Sequence, residues 1–156
     1  YLSIDFICHQ AFEDTPWYEP FLYRQLFFKY PNSKFILFER DPHAWYRSML
    51  NHSDGKTLGY TYNHCLFYKR SDEYVELLDK CGEVAEWKGL NLDHEEKYIS
   101  AYMEYNSIAR DFFEINGRHR IFIGRLEDPL KWNKLGEFLG FKYNGEDIHR
   151  HKSTNQ

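Results

Sequence analysis

Cysteine is scarce in this 156-residue chain. Cys8, Cys65 and Cys81 form an odd, widely spaced set, which excludes a disulfide framework and a zinc knuckle. They read as free thiols, buried or at the surface, and a reducing, cytoplasmic setting is the default expectation. No apolar run approaches the roughly 18 residues that a membrane-crossing helix needs, and no signal-peptide pattern is visible. The sequence opens on Tyr1 rather than Met, so any targeting signal is expected upstream of it. There is no excess of positive charge: the net charge of −4 argues against a nucleic-acid surface spread over the whole chain, while leaving room for a local basic pocket. Repeats, low-complexity tracts and linkers are also lacking, which predicts a single domain over residues 1–156.

What is present is apolar bulk. Apolar residues make up 42% of the chain and aromatics 19%, enough at this length for a packed core. Ile-Asp-Phe-Ile-Cys, residues 4–8, reads as a short strand. Trp17 to Tyr30 reads as a helix, with Phe21, Leu22, Leu26 and Phe27 near a 3.6-residue period and Pro20 in its tolerant first turn. Pro31-Asn32-Ser33 is a turn, Lys34–Phe38 a second strand and Pro42–Leu50 a helix. Residues 51–70 read mostly as loop. Ser71 predicts the N-cap of a helix to Lys80. Asp93 predicts the cap of a long helix to about Asn116, with Glu95 and Glu96 in its first turn. Its buried stripe would be Ile99, Tyr102, Tyr105 or Asn106, Ala109, Phe112 and Phe113. Arg120–Gly124 reads as a third strand and Lys131–Leu139 as a last helix, closed by Gly140. Strands alternating with helices predict an α/β fold with a parallel sheet and covering helices. Three strands are few for such a sheet, so a first strand and helix are expected upstream of Tyr1.

Residues 34–49 carry the most information. The apolar run Phe35 to Phe38 ends on Glu39-Arg40-Asp41, and Pro42 opens an amphipathic segment. That is the pattern of a buried strand, a tight turn and a helix start. Ligands of open α/β sheets bind outside the carboxyl ends of the strands, a helix start favours anions, and an arginine there can grip a phosphate with two parallel hydrogen bonds. Ser48 follows Arg40 by about two helical turns. The stretch reads as part of a phosphate site. The plainer alternative pairs Arg40 with Asp41 or Glu39 at the surface and leaves Ser48 an ordinary helical residue. Arg47 reads as a solvated helix residue.

Tyr-Pro-Asn-Ser-Lys-Phe-Ile-Leu-Phe-Glu-Arg-Asp-Pro-His-Ala-Trp-Tyr-Arg-Ser, residues 30–48, resembles the core of the sulfotransferase family. Glu13-Asp14-Thr15-Pro16 resembles its Asp-x-Pro element. Trp132-Asn133-Lys134-Leu135 with Glu137-Phe138-Leu139-Gly140 is similar to its late Trp-x-x-Leu-x-x-Phe-Leu-Gly helix, and His151-Lys152-Ser153-Thr154-Asn155 to its C-terminal segment. Residues 51–92 are unmatched by these motifs. The resemblance implies a three-layer, P-loop NTPase-like parallel sheet flanked by helices, the sulfate donor 3′-phosphoadenosine 5′-phosphosulfate (PAPS), and no metal. The family's glycine-rich loop precedes the segment equivalent to Tyr1, and no Gly-x-x-x-x-Gly-Lys-Ser/Thr pattern occurs in this sequence. The expectation is an upstream βα unit that carries the loop, with a degenerate family member as the alternative.

The resemblance assigns Arg40 and Ser48 to the donor's 3′-phosphate. Asp14 stands where cytosolic members place a catalytic histidine. A carboxylate there could act as general base, or it could cap the helix that Pro16 opens, and both roles can hold. His9 is a rival base. Arg150, His151 and Lys152 form a basic tail that would either fold over the nucleotide or remain solvated. His149 and His151 are poor metal candidates. Arg125, Glu127 and Asp128 follow the third strand, where family members carry a structural acidic residue. Tyr60, Tyr62, His64 and Tyr68, together with Phe67, mark residues 51–92 as the acceptor pocket or lid. The acceptor would be a small molecule, a sugar or a lipid. No nucleic-acid partner is expected, and a homodimer is left open. Two rivals stand beside this reading: a P-loop-type phosphotransferase such as a small kinase, and a non-catalytic binding or scaffold protein on the same fold.

Overall fold

The computed structural model describes residues 11–12, 19–51 and 95–145. The expected strand at 4–8 and helix at 71–80 lie outside the described residues. The chain divides into two compact units, residues 1–35 and 36–156.

In the first unit, α1 spans Pro20–Lys29. Pro20 occupies the first turn, where its missing N–H leaves no helix bond unmade. The Glu19 carbonyl accepts the first bonds, from Leu22 and Tyr23 at 2.9 and 3.0 Å. Tyr23 and Phe27, one turn apart, are its buried pair, and Phe27 also meets the Phe35 ring at 6.1 Å. Phe21, expected inside, is instead 73% exposed: two residues from Tyr23 it falls on the opposite side of the helix.

Among the described residues, the second unit carries one pair of strands. Strand β1 is Phe35–Glu39 and β2 is Ile121–Arg125, paired as neighbours. The Leu126 N–H donates to the Glu39 carbonyl at 2.9 Å. The two carboxyl ends therefore lie side by side, as a parallel pair requires. Both strands start one residue later than their sequence patterns suggest. Helix α2, Pro42–Asn51, follows β1 directly. Helix α3, Glu95–Asn116, precedes a short 3-10 turn at Arg118–Arg120 that feeds β2, and α4 is Lys131–Leu139.

Alternation along the strands sends successive side chains to opposite faces. On one face Phe38 meets Phe122 and Trp132, each at 5.6 Å between ring centroids, and Phe122 meets Phe138 at 5.8 Å. This aromatic layer docks α4. Gly124 is part of it, because a Cβ there would stand 2.8 Å from the Phe38 ring. On the other face Glu39 reaches α3. Helices on both faces of a parallel strand pair form an α/β arrangement.

Helix α3 buries Tyr98, Ile99, Asn106, Ala109 and Phe113. The stripe thus starts one residue earlier than its sequence pattern and takes Asn106 rather than Tyr105. Its first turns pack along α2, where Tyr46, Tyr98 and Ile99 form a core joined by Trp45, Met49 and Leu50. Helix α4 ends as the sequence requires. Gly140 takes φ 89°, the Phe141 N–H returns to the Gly136 carbonyl at 2.8 Å, and the Gly140 N–H reaches Glu137 at 3.2 Å, which is the Schellman pattern.

Candidate functional site

The carboxyl ends of β1 and β2 bring together the charged residues of the second unit. Glu39, last in β1, has its carboxylate turned to α3 and is only 6% exposed. A carboxylate this buried needs a cation and hydrogen-bond donors, and Arg110 supplies both. Its Nε donates to Glu39 Oε1 at 2.6 Å, and its terminal nitrogen meets the second carboxylate oxygen, a two-pronged pair. The bond to Glu39 raises the pKa of the Arg110 guanidinium.

Arg40 is the first residue past the strand. Its Nε lies 3.3 Å from Glu127 Oε1, just beyond β2. Both side chains remain open to water, at 35% and 48%. Sequence reasoning offered Asp41 or Glu39 as partners for Arg40, but Glu39 is taken by Arg110 and Asp41 caps α2. The Asp41 carboxylate accepts the Ala44 N–H at 2.8 Å, and its carbonyl accepts the Trp45 N–H at 2.8 Å. The helix start expected to attract an external anion is thus served by the chain's own carboxylate.

Ser48 lies in α2, half-buried. It shares a flank with Ala44 and Trp45, one turn back toward Arg40. At the head of α2, His43 Nδ1 meets Glu95 Oε1 at 3.0 Å, tying that end to the start of α3. Beyond Glu127, Asp128 orders the β2–α4 turn: its carboxylate accepts the Leu130 N–H at 2.9 Å and the Lys134 ammonium at 2.5 Å.

Two residues that sequence reasoning left out of the site are central to it. Tyr102, read only as a core residue, hydrogen-bonds the Arg40 main chain. Arg110 was not singled out, although a glutamate closing an apolar strand signals a buried carboxylate in search of a cation. Of the site residues named from sequence, the structure describes Arg40 and Ser48. His9, Asp14, Tyr60, Tyr62, His64, Tyr68, Arg150 and Lys152 lie outside the described residues. Among the described residues no group of three or more His, Cys, Asp or Glu side chains is placed to hold a metal ion, and no helix is long and apolar enough to cross a membrane.

A parallel strand pair with helices on both faces, and an arginine and its counter-ion at the carboxyl ends, is an α/β arrangement. The chain belongs to the sulfotransferase domain family, which matches residues 8–153. The match runs through residues 51–92, the part that the short motifs left unaligned. No curated protein matches the chain. Family membership places the protein among transferases of the sulfuryl group.

Proposed function

We propose that this protein moves a sulfuryl group from PAPS to a hydroxyl or amine of a small molecule, sugar or lipid, on a P-loop-like fold. The observation that carries the proposal is Arg40: a guanidinium at the carboxyl end of a parallel strand, open enough to reach a ligand and held by a carboxylate of the neighbouring strand end. Arg40 and the Ser48 hydroxyl would hold the donor's 3′-phosphate, the group that separates PAPS from ATP. Planar guanidinium and phosphate oxygens match in geometry.

In the reaction the acceptor oxygen or nitrogen bonds to sulfur as the bond from sulfur to the phosphate oxygen breaks. The leaving 3′,5′-bisphosphate keeps the electron pair, and the acceptor proton passes to a base. Asp14 is the proposed base, with His9 as alternative. Arg150 and Lys152 would add positive charge to the nucleotide site, and Tyr60, Tyr62, His64 and Tyr68 would line the acceptor side. A cytoplasmic location is part of the same reading.

The test is calorimetric titration of the natural-length protein with adenosine 3′,5′-bisphosphate and with ATP, beside an Arg40→Ala variant. Binding that is selective for the bisphosphate and falls more than tenfold in Arg40→Ala is expected, since a lost charged contact costs roughly 2–5 kcal/mol. No binding by the folded protein favours the scaffold alternative. ATP bound as tightly as the bisphosphate favours a kinase.

A further inference from the structure

Arg40 stands where β1 stops, and its main-chain N–H and C=O both need partners beyond the ladder. One side chain serves both. The Tyr102 hydroxyl accepts the Arg40 N–H at 2.9 Å and donates to the Arg40 carbonyl at 3.3 Å. A phenol suits this position because its single oxygen both accepts and donates. The Tyr102 ring lies flat on Trp45, with centroids 4.4 Å apart and planes 11° apart. Trp45 itself packs against the core of Tyr46, Tyr98 and Ile99. The residue before Arg40 is gripped by Arg110, two turns further along the same helix as Tyr102. Helix α3 therefore holds residues 39 and 40 by side chain and by backbone respectively.

We propose that Tyr102, backed by Trp45, is a positioning residue that fixes the main chain of Arg40 so that its guanidinium meets the nucleotide's 3′-phosphate in one geometry. Tyr102 acts through Arg40 and touches no ligand. This inference rests on the sulfotransferase reading above. Two-pronged recognition of phosphate depends on the orientation of the guanidinium plane. Without the hydroxyl, two polar groups of residue 40 lose their partner, and among the described residues the pairing with Glu127 is what remains to orient the Arg40 side chain.

The experiment compares adenosine 3′,5′-bisphosphate with adenosine 5′-phosphate, which lacks the 3′ group, by calorimetry. The proteins are wild type, Tyr102→Phe, Arg40→Ala and the double variant. Tyr102→Phe keeps the ring on Trp45 and removes the oxygen. It is expected to weaken the bisphosphate about tenfold, the size of one or two net hydrogen bonds, and to leave the 5′-phosphate unchanged. In the Arg40→Ala background the same substitution is expected to change neither ligand, because the two residues act as one unit. The ratio of the two affinities does not depend on the fraction of protein folded, so partial unfolding of a variant cannot imitate the result. Equal losses for both nucleotides, or none for the bisphosphate, would overturn the role of Tyr102. Should the wild type show no preference for the bisphosphate, the sulfotransferase reading fails and this inference with it. A preference that disappears in Arg40→Ala but survives Tyr102→Phe overturns this inference alone.

Discussion

Arg110 closes on both oxygens of the Glu39 carboxylate, joining the middle of α3 to the last residue of β1 across 71 positions of sequence. The carboxylate is buried, whereas the arginine side chain is 54% exposed. Removing the arginine strands a charge that water reaches poorly. Arg110→Ala is expected to cost about 2–3 kcal/mol, short of a fully buried pair because the arginine side chain is half exposed. The double variant Glu39→Met, Arg110→Met should recover most of that loss. Urea unfolding of the three proteins measures both values.

The end of α4 makes a second, purely steric case. Gly136 is buried within the helix, and a Cβ there would stand 2.7 Å from the Phe141 carbonyl oxygen, a main-chain atom that cannot swing aside. Gly140 has open space around its Cα but sits at φ 89°. Gly136→Ala is expected to cost roughly 1–3 kcal/mol through displaced backbone, although alanine is the better helix former. Gly140→Ala should cost about 1 kcal/mol, for conformation alone. Thermal unfolding should rank the two in that order.

Asp128 gives a pH dependence of known sign. Its bond to the Lys134 ammonium, helped by the Leu130 N–H, holds the carboxyl below the ordinary carboxylate range. A depressed folded pKa contributes stability that is present above the unfolded value and lost as the pH falls through the folded one. Asp128→Asn should therefore be less stable than wild type at neutral pH. The gap should narrow below about pH 4, where the unfolded carboxyl begins to take up protons. Melting temperatures of both proteins from pH 7 down to acid check this. A gap that stays constant with pH would assign the effect to the lost geometry of the turn rather than to charge.

Glu127 competes with any anion for Arg40. Glu127→Gln keeps the shape and removes the charge. It should tighten binding of adenosine 3′,5′-bisphosphate by up to about fivefold, the most that an exposed pair of about 1 kcal/mol can return. The gain should shrink as salt screens the pair. Titrations at two ionic strengths read it directly. Weaker binding in the variant would mean that Glu127 orients Arg40 instead of competing for it.

The local signals in the sequence carried far. Pro42 and Gly140 marked helix ends, and the apolar run into Glu39-Arg40-Asp41 marked the strand end where the structure sets Arg40 beside Glu127. Each depends on neighbours within a few positions, so a pattern suffices. The partners of those residues were not legible. Tyr102 lies 62 positions from Arg40, and nothing local separates a tyrosine that packs from one that also bonds a distant backbone. The stripe of α3 was displaced at Tyr98 for a similar reason. An amphipathic period fixes spacing, but the neighbour, here α2 with Tyr46, decides which edge of the stripe is covered.

Among the described residues, the contacts that tie the Arg40 strand end to α3 and to the end of β2, made by Tyr102, Arg110 and Glu127, cross from residues before Asn51 to residues after Glu95. Each of these contacts closes a loop through the chain between, and closing it costs entropy. That entropy grows with the logarithm of length, so a segment twice as long would cost only about 0.6 kcal/mol more. Loop entropy alone thus sets little limit on the length of the intervening sequence.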